Sequence, residues 1–381
     1  MKNKDKRTSI ILACITVLIV IFIFLTTTDY IKKDIIYLEM ANIIYDFDPL
    51  SMEYIGLNGG QVIYVSMDGI KAFDKSGIEV WSQALTIKDV VVSKNYPYYA
   101  ISSPFDKKVY IFNEKGKQAE IEMQNPISYF NINSNGMIVI IEEVKDGHVL
   151  LAYDNTGKFL EVQSGSFVKN GDYPLAAIIS PDNQYIIVSH LYLEGVEIES
   201  IVGAIPIKQT GTTSPMLYGN REAGNLVYGI EFITNKIWAS IGDKYITFYT
   251  LDGELVKRVD VDELLFKPMV DKMPTLGGYV PLIIAKNQIG ATIHSNDKLI
   301  LLNHEKQYEV ELEFDKAIQY YNATEKGVII GDGNTYKGYN KIGNQYLEYN
   351  AIQDIKQVIV NDDLMIAVTS DSIVRLVERG K

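Results

Sequence analysis

The chain has 381 residues, 47% hydrophobic and 22% charged, with 36 basic against 48 acidic side chains and a net charge of −12. That balance repels nucleic acid and anionic headgroups, and the composition is that of a globular protein rather than a disordered one. The length exceeds what one small core serves, a limit that a repeat protein escapes by adding units, and 26 Tyr against 2 Trp suit strands more than helices.

Thr8 to Thr28 carries no charge. Its 21 residues would reach about 31 Å as a helix, against a hydrocarbon core of roughly 30 Å. Thirteen of the sixteen residues from Ile10 to Leu25 are Ile, Leu, Val or Phe, which favours insertion by about 4–8 kcal/mol. A cleavable signal peptide would need a shorter apolar run and a small-x-small site, and none follows. Ile11-Leu12-Ala13-Cys14 faintly resembles a lipoprotein box, but the apolar run continues for eleven residues beyond Cys14. The expectation is one N-terminal transmembrane helix at 8–28, behind a cytoplasmic tail of residues 1–7. Lys2, Lys4, Lys6 and Arg7, opposed only by Asp5, place that tail inside and residues 29–381 outside the cell. Removing those charges from the totals leaves 32 basic and 47 acidic residues, a balance near −15. Cys14 is the only cysteine, so the exported part holds no disulfide.

Between the span and the repeats lies a juxtamembrane segment, 29–51. Ile36, Met40, Ile43 and Phe47 fall at helical spacing there, while Asn42 to Phe47 also reads as a strand. The expected course is helix to about Ala41 and then a strand that completes the last repeat.

From Met52 onward a short signature recurs: an aromatic residue, then Asp or Asn, then Gly three residues later. It appears at Phe73-Asp74…Gly77, Phe112-Asn113…Gly116, Tyr153-Asp154…Gly157 and Tyr339-Asn340…Gly343, and modified at Tyr249-Thr250-Leu251-Asp252-Gly253. An Asx side chain bonding the backbone two residues on, followed by a left-handed Gly, closes a tight turn between two strands. The first glycines are 39 and 41 residues apart, the period of a four-stranded propeller blade. The intervals from Gly157 to Gly253 and from Gly253 to Gly343, 96 and 90 residues, each leave room for one further unit without the signature. The fourth unit is expected to hold strands at 175–179, 185–191 and 198–207, and the sixth at 281–285, 289–293, 298–302 and 308–314. The tail from Ile355 supplies three more strands. The fold read from this is all-β: an eight-bladed β-propeller over 52–381, with seven blades as the alternative if the fourth unit is a connector.

Two stretches break the pattern. Lys208 to Gly224 is too polar and Gly-rich for a strand, and Asp260 to Gly278 reads as a long connection around Leu264-Leu265-Phe266. Long loops on a rigid ring carry function or are idle insertions. Met216, Leu217, Tyr218 and Arg221 in the first, and Phe266 and Met269 in the second, are the candidate partner contacts, mixing adaptable apolar, aromatic and guanidinium groups.

Chemistry-bearing motifs are scarce. There is no Gly-Lys-Ser/Thr phosphate loop and no nucleophile elbow, and His148, His190, His294 and His304 have neither a Cys nearby nor metal-ligand spacing. Acidic clusters such as Asp260-Val261-Asp262-Glu263 lack the alternation and glycine of a calcium loop. No catalytic, metal or cofactor residues are therefore assigned.

The segment Asp68-Gly69-Ile70-Lys71-Ala72-Phe73-Asp74…Gly77…Val80-Trp81 is similar to the repeat of quinoprotein-type propellers, and Ser180-Pro181-Asp182-Asn183 resembles the Ser-Pro-Asp-Gly turn of TolB-type and WD40-like propellers. The likeness to quinone enzymes is partial: Trp81 has no counterpart in the other units, and their adjacent cysteine pair is missing. A closer resemblance covers nearly the whole chain. The N-terminal span, the 68–81 hairpin, Val109 to Gly116, Lys169 to Leu175 and Val188 to Gly195 resemble a clostridial-type family of membrane-anchored propellers that carries only a domain-of-unknown-function label. That resemblance implies a propeller outside the cell and no assigned activity. The functional expectation is a non-catalytic protein-binding or scaffolding module of the envelope, held by the lipid bilayer, without a cofactor and without nucleic acid. An extracellular ligand sensor and a quinone-dependent or hydrolytic enzyme are the rival readings.

Overall fold

The computed structural model describes residues 35–193, 197–207, 216–261, 265–267, 277–285, 297–305, 310–324 and 326–380. The expected span at 8–28 lies outside them, and no helix among the described residues is long and apolar enough to cross a membrane.

The strands form six four-stranded antiparallel sheets and one of eight strands. The first sheet holds Met52–Asn58, Gln61–Ser66, Gly69–Phe73 and Glu79–Ala84, hydrogen-bonded in chain order. Four more of the same form cover 91–122, 127–167, 172–223 and 227–260, and the sixth covers 265–314. Burial follows position: second strands such as Ile138–Val144 are apolar on consecutive residues because both faces are covered, while fourth strands such as Glu79–Ala84 alternate between half-buried and exposed. Each apolar cluster among the described residues lies between two successive four-stranded sets. One of them joins Ile359, Ile366 and Ile373, near the C-terminus, to Ile55, Val62 and Tyr64 of the first sheet. The succession of cores thus closes on itself.

The closure depends on the N-terminal strand Ile36–Asp46. The last three strands, Gln357–Val360, Met365–Val368 and Ser372–Glu378, lack a fourth of their own. Ile36–Asp46 supplies it, antiparallel to Ser372–Glu378 from Leu38 opposite Glu378 to Asp46 opposite Ser372. Its first residues also pair in parallel with Leu347 to Tyr349, the outer strand of the set at 320–350, which fuses two four-stranded sets into the eight-stranded sheet. The helix expected to run to about Ala41 is therefore replaced by strand from Ile36. Two waiting edges offer backbone partners, and that tertiary pairing outweighs a weak local helical pattern.

Signature turns all join the third strand of a set to the fourth. Asp74 Oδ1 accepts from the backbone N–H of Ser76 at 2.8 Å and of Ile78 at 3.0 Å, and Asn340 Oδ1 does the same for Ile342 and Asn344. Gly77, Gly116, Gly157, Gly253 and Gly343 are all left-handed, with φ between 81° and 103°. A second constraint acts on them. Each sits against the outer strand of the preceding set: Gly116 on Trp81, Gly157 on Ala119, Gly253 on Tyr218 and Gly343 on Val310. Gly77 meets Ile44, so the N-terminal strand occupies the place that a fourth strand holds elsewhere.

Three expectations change. Lys208 to Gly224 is not all loop: Tyr218–Ala223 is the fourth strand of the fourth sheet, paired with Glu199–Pro206. A strand with one face on its neighbour and the other in water reads as polar, which hid it. Likewise Leu265–Lys267, placed in a long connection, is the first strand of the sixth sheet and pairs with Val280–Ala285. The strand expected at 289–293 lies outside the described residues, and Val280–Ala285 pairs directly with Asp297–Leu302.

Gly77→Ala should destabilise residues 35–381 by about 1–3 kcal/mol, since the backbone there is left-handed and a Cβ would lie 2.7 Å from the Ile44 carbonyl oxygen. Gly60→Ala, with open space around it, should stay within about 0.5 kcal/mol, both read by urea denaturation. Removal of residues 35–46 should cost about 3–6 kcal/mol, because the buried Leu38 and Ile44 are lost and the Ser372–Glu378 edge is unpaired. An unchanged midpoint would place ring closure elsewhere.

Candidate functional site

The candidate contacts sort by strand alternation. Leu217 N–H donates to the Ala204 carbonyl at 2.7 Å, and from there Tyr218, Asn220 and Glu222 face inward while Gly219, Arg221 and Ala223 face out. Met216 lies against Gly203, where it joins the core between the third and fourth sheets. Tyr218 packs between the fourth and fifth sheets under the Gly253 turn, and burial pushes its hydroxyl up to about 12. Leu217 remains 58% exposed. Arg221 projects into solvent with its Nε 2.5 Å from Glu199 Oε1, an exposed pair worth about 0–1 kcal/mol. Of the four residues, two are structural and two are available to a partner. The backbone of Phe266 lies in the short first strand of the sixth sheet, and Met269 lies outside the described residues.

Behind Tyr218–Ala223 lies a cleft of about 220 Å³ between the fourth and fifth sheets, lined by Asn220, Arg221, Glu222, Tyr245 and Arg258 among others. Glu222 is 1% exposed. Its carboxylate accepts from Ser240 Oγ at 2.5 Å, the Tyr249 hydroxyl at 3.0 Å and Asn225 Nδ2 at 2.6 Å. Asn225 is fixed in turn, its Oδ1 accepting from the N–H groups of Lys244 and Tyr245. Burial raises the Glu222 pKa despite these donors and the nearby Arg258. The Arg258 guanidinium stacks 3.2 Å over the Tyr245 ring at the cleft wall. Ser240 beside a carboxylate has the look of an activated nucleophile, but it has no solvent exposure and cannot meet a substrate.

A second polar pair sits at the same end of the fourth sheet, on its first two strands: His190 Nδ1 lies 2.6 Å from Oδ1 of the half-buried Asp172, with Tyr192 beside it. Burial, and then the Asp172 charge, raises the Tyr192 hydroxyl. No hydroxyl among the described residues is hydrogen-bonded to the His190 ring, and no three-member cluster of His, Cys, Asp and Glu suited to a metal occurs among them. His148 meets Tyr173 edge-on, and His294 lies outside the described residues. Sequence reasoning passed over Glu222 and Asp172. The one available signal for Glu222 was its period-two phase with Tyr218 and Asn220, which puts a carboxylate on an inward face.

The chain belongs to a family of unknown function (DUF5711), which it matches over residues 41–376. No curated protein matches the sequence. Among solved structures, it is similar to the β-propeller domain of Cps50 (Swd1) from Myceliophteria thermophila, at 11% identity and TM-score 0.50, covering 82% of this chain and 100% of that one. It is similar to BamB from Moraxella catarrhalis at 11% identity and TM-score 0.50, covering 90% and 99%. The Dos1 propeller aligns at 10% identity and TM-score 0.53, covering 89% and 94%. At such identities the likeness shows the fold alone, a β-propeller.

The elevated Glu222 pKa has a measurable consequence. The folded carboxyl keeps its proton to higher pH than the unfolded chain does. Its contribution to stability is therefore full below the ordinary value of 4.5 and is lost as pH rises through the folded value. The stability of the wild type relative to Glu222→Gln should be greatest below about pH 4.5 and fall as pH rises above it in denaturation experiments. A pH-independent difference would mean that Glu222 is not desolvated.

Proposed function

We propose that this family member is an eight-bladed β-propeller, held on the outer face of the cell membrane by residues 8–28, that binds an envelope protein and catalyses nothing. Eight sets of strands support the blade number: six separate sheets and the two sets fused by Ile36–Asp46. Four basic residues before an uncharged run of 21 support the anchor and its direction.

The observation that carries the binding role is the division of polar groups. The pairings with chemical potential, Glu222–Ser240 and Asp172–His190, are hydrogen-bonded within one sheet or between neighbours, with Glu222, Ser240 and His190 buried and Asp172 half-buried. The outward face of the same sheet keeps Leu217 and Arg221 in solvent, an apolar group and a guanidinium on a rigid support. This combination suits recognition of a protein surface more than turnover of a small substrate.

The test uses the full chain in its own cells. In a Cys14→Ser background, Leu217→Cys should react with a membrane-impermeant maleimide on intact cells, and labelling only after lysis would reverse the topology. A photo-crosslinking side chain at position 217 or 221 should give a discrete adduct with one envelope protein, while the same group at the exposed Gln118, on the second sheet, gives none. Equal yields at all three positions, or no adduct, would refute the contact.

A further inference from the structure

Every set of strands has two ends. One carries the turns between first and second and between third and fourth strands, including all five signature turns. The other carries the turns between second and third strands and the links from one set to the next. The N-terminal strand begins at the signature-turn end. Ile36 lies opposite Leu347, four residues past Gly343, and Arg379 N–H donates to the Tyr37 carbonyl at 2.7 Å beside it.

We infer that the signature-turn end of the propeller lies against the bilayer and that the opposite end opens outward. The inference rests on the anchoring proposed above. Only residues 29–35 separate the span from Ile36, and seven extended residues reach at most about 25 Å. With the signature-turn end down, this tether meets the strand directly. With the ring inverted, it would have to climb the outer wall first. A six-residue strand stands about 20 Å tall, so the climb would consume nearly the whole tether. Exposed apolar side chains do not decide the matter, since Ile342 marks one end and Phe105 the other. The attachment point and the reach of the tether decide it.

The arrangement assigns surfaces. The Asp74, Asn113, Asp154, Thr250 and Asn340 turns face the headgroups. The Asp172–His190–Tyr192 group and the exposed Phe167, Val168 and Leu193 belong to the end directed away from the cell.

The experiment reconstitutes the full chain, in the Cys14→Ser background, into phosphatidylcholine vesicles that carry a nitroxide on the headgroup. A fluorophore is attached to single cysteines at exposed positions of each end: Ser76→Cys, Thr156→Cys and Ile342→Cys against Phe105→Cys, Lys145→Cys and Gln353→Cys. Quenching at the first three should exceed that at the second three by about twofold or more, because the tether keeps the near end within about 25 Å of the headgroups. Equal quenching at the two ends would overturn the inference, and the reverse gradient would show the inverted ring. Flotation of the vesicles is scored in parallel. A chain that fails to float with them refutes the anchor itself, and the orientation falls with it.

Discussion

A sheet that is apolar on both faces cannot end a stack. Ile138 to Ile141 and Ile186 to Val188 are buried from both sides, so each sheet requires a neighbour in both directions. A row of such sheets would leave two greasy faces in water, and a circle leaves none. The chain reaches a circle only if its last three strands gain a fourth, and that strand comes from the other end of the sequence. The placement of Gly77 against Ile44 and the core shared by Ile359, Ile366 and Ile55 both follow from that one pairing.

What the sequence revealed follows how local the determinants are. The signature turns are legible because Asx oxygens, left-handed glycines and the flanking aromatic all act within five residues. Their absence from three sets is equally physical. The fourth and sixth sets join their third and fourth strands through connections of other lengths, and in the last set no turn joins them, because Ser372–Glu378 pairs with Ile36–Asp46 from before the first set. The N-terminal strand was harder to read. Ile36 and Met40 are four apart, a spacing shared by helical and strand periods. The residues that distinguish the two are Leu38 and Ile44, buried in strand phase, with the polar Asn42 in the same phase between them. Two register shifts, between Met40 and Ile43 and between Ile43 and Tyr45, blur the alternation further.

The candidate contacts show the same limit. Met216, Leu217, Tyr218 and Arg221 resemble one adhesive patch when read as a loop. Once the segment is a strand, alternation divides them between the core and the solvent. Trp81, the repeat residue without counterparts, has a role that only the neighbouring set discloses. Its indole N–H donates to the Glu114 carbonyl at 3.1 Å and its ring stacks on Phe112, tying the first sheet to the turn of the second.

The antiparallel pairing of the first and last strands carries one more consequence. Tyr37 and Arg379 are hydrogen-bonded neighbours, and Leu38 faces Glu378 across the closing pair. The circle therefore has no structural beginning, and the order in which its strands are threaded is separable from the shape they make. A circularly permuted chain, joined across these ends and opened at the exposed turn of Lys145 and Asp146, would retain every strand pairing. In such a protein the site of the proposed membrane attachment would become a free variable, to be set anywhere on the rim.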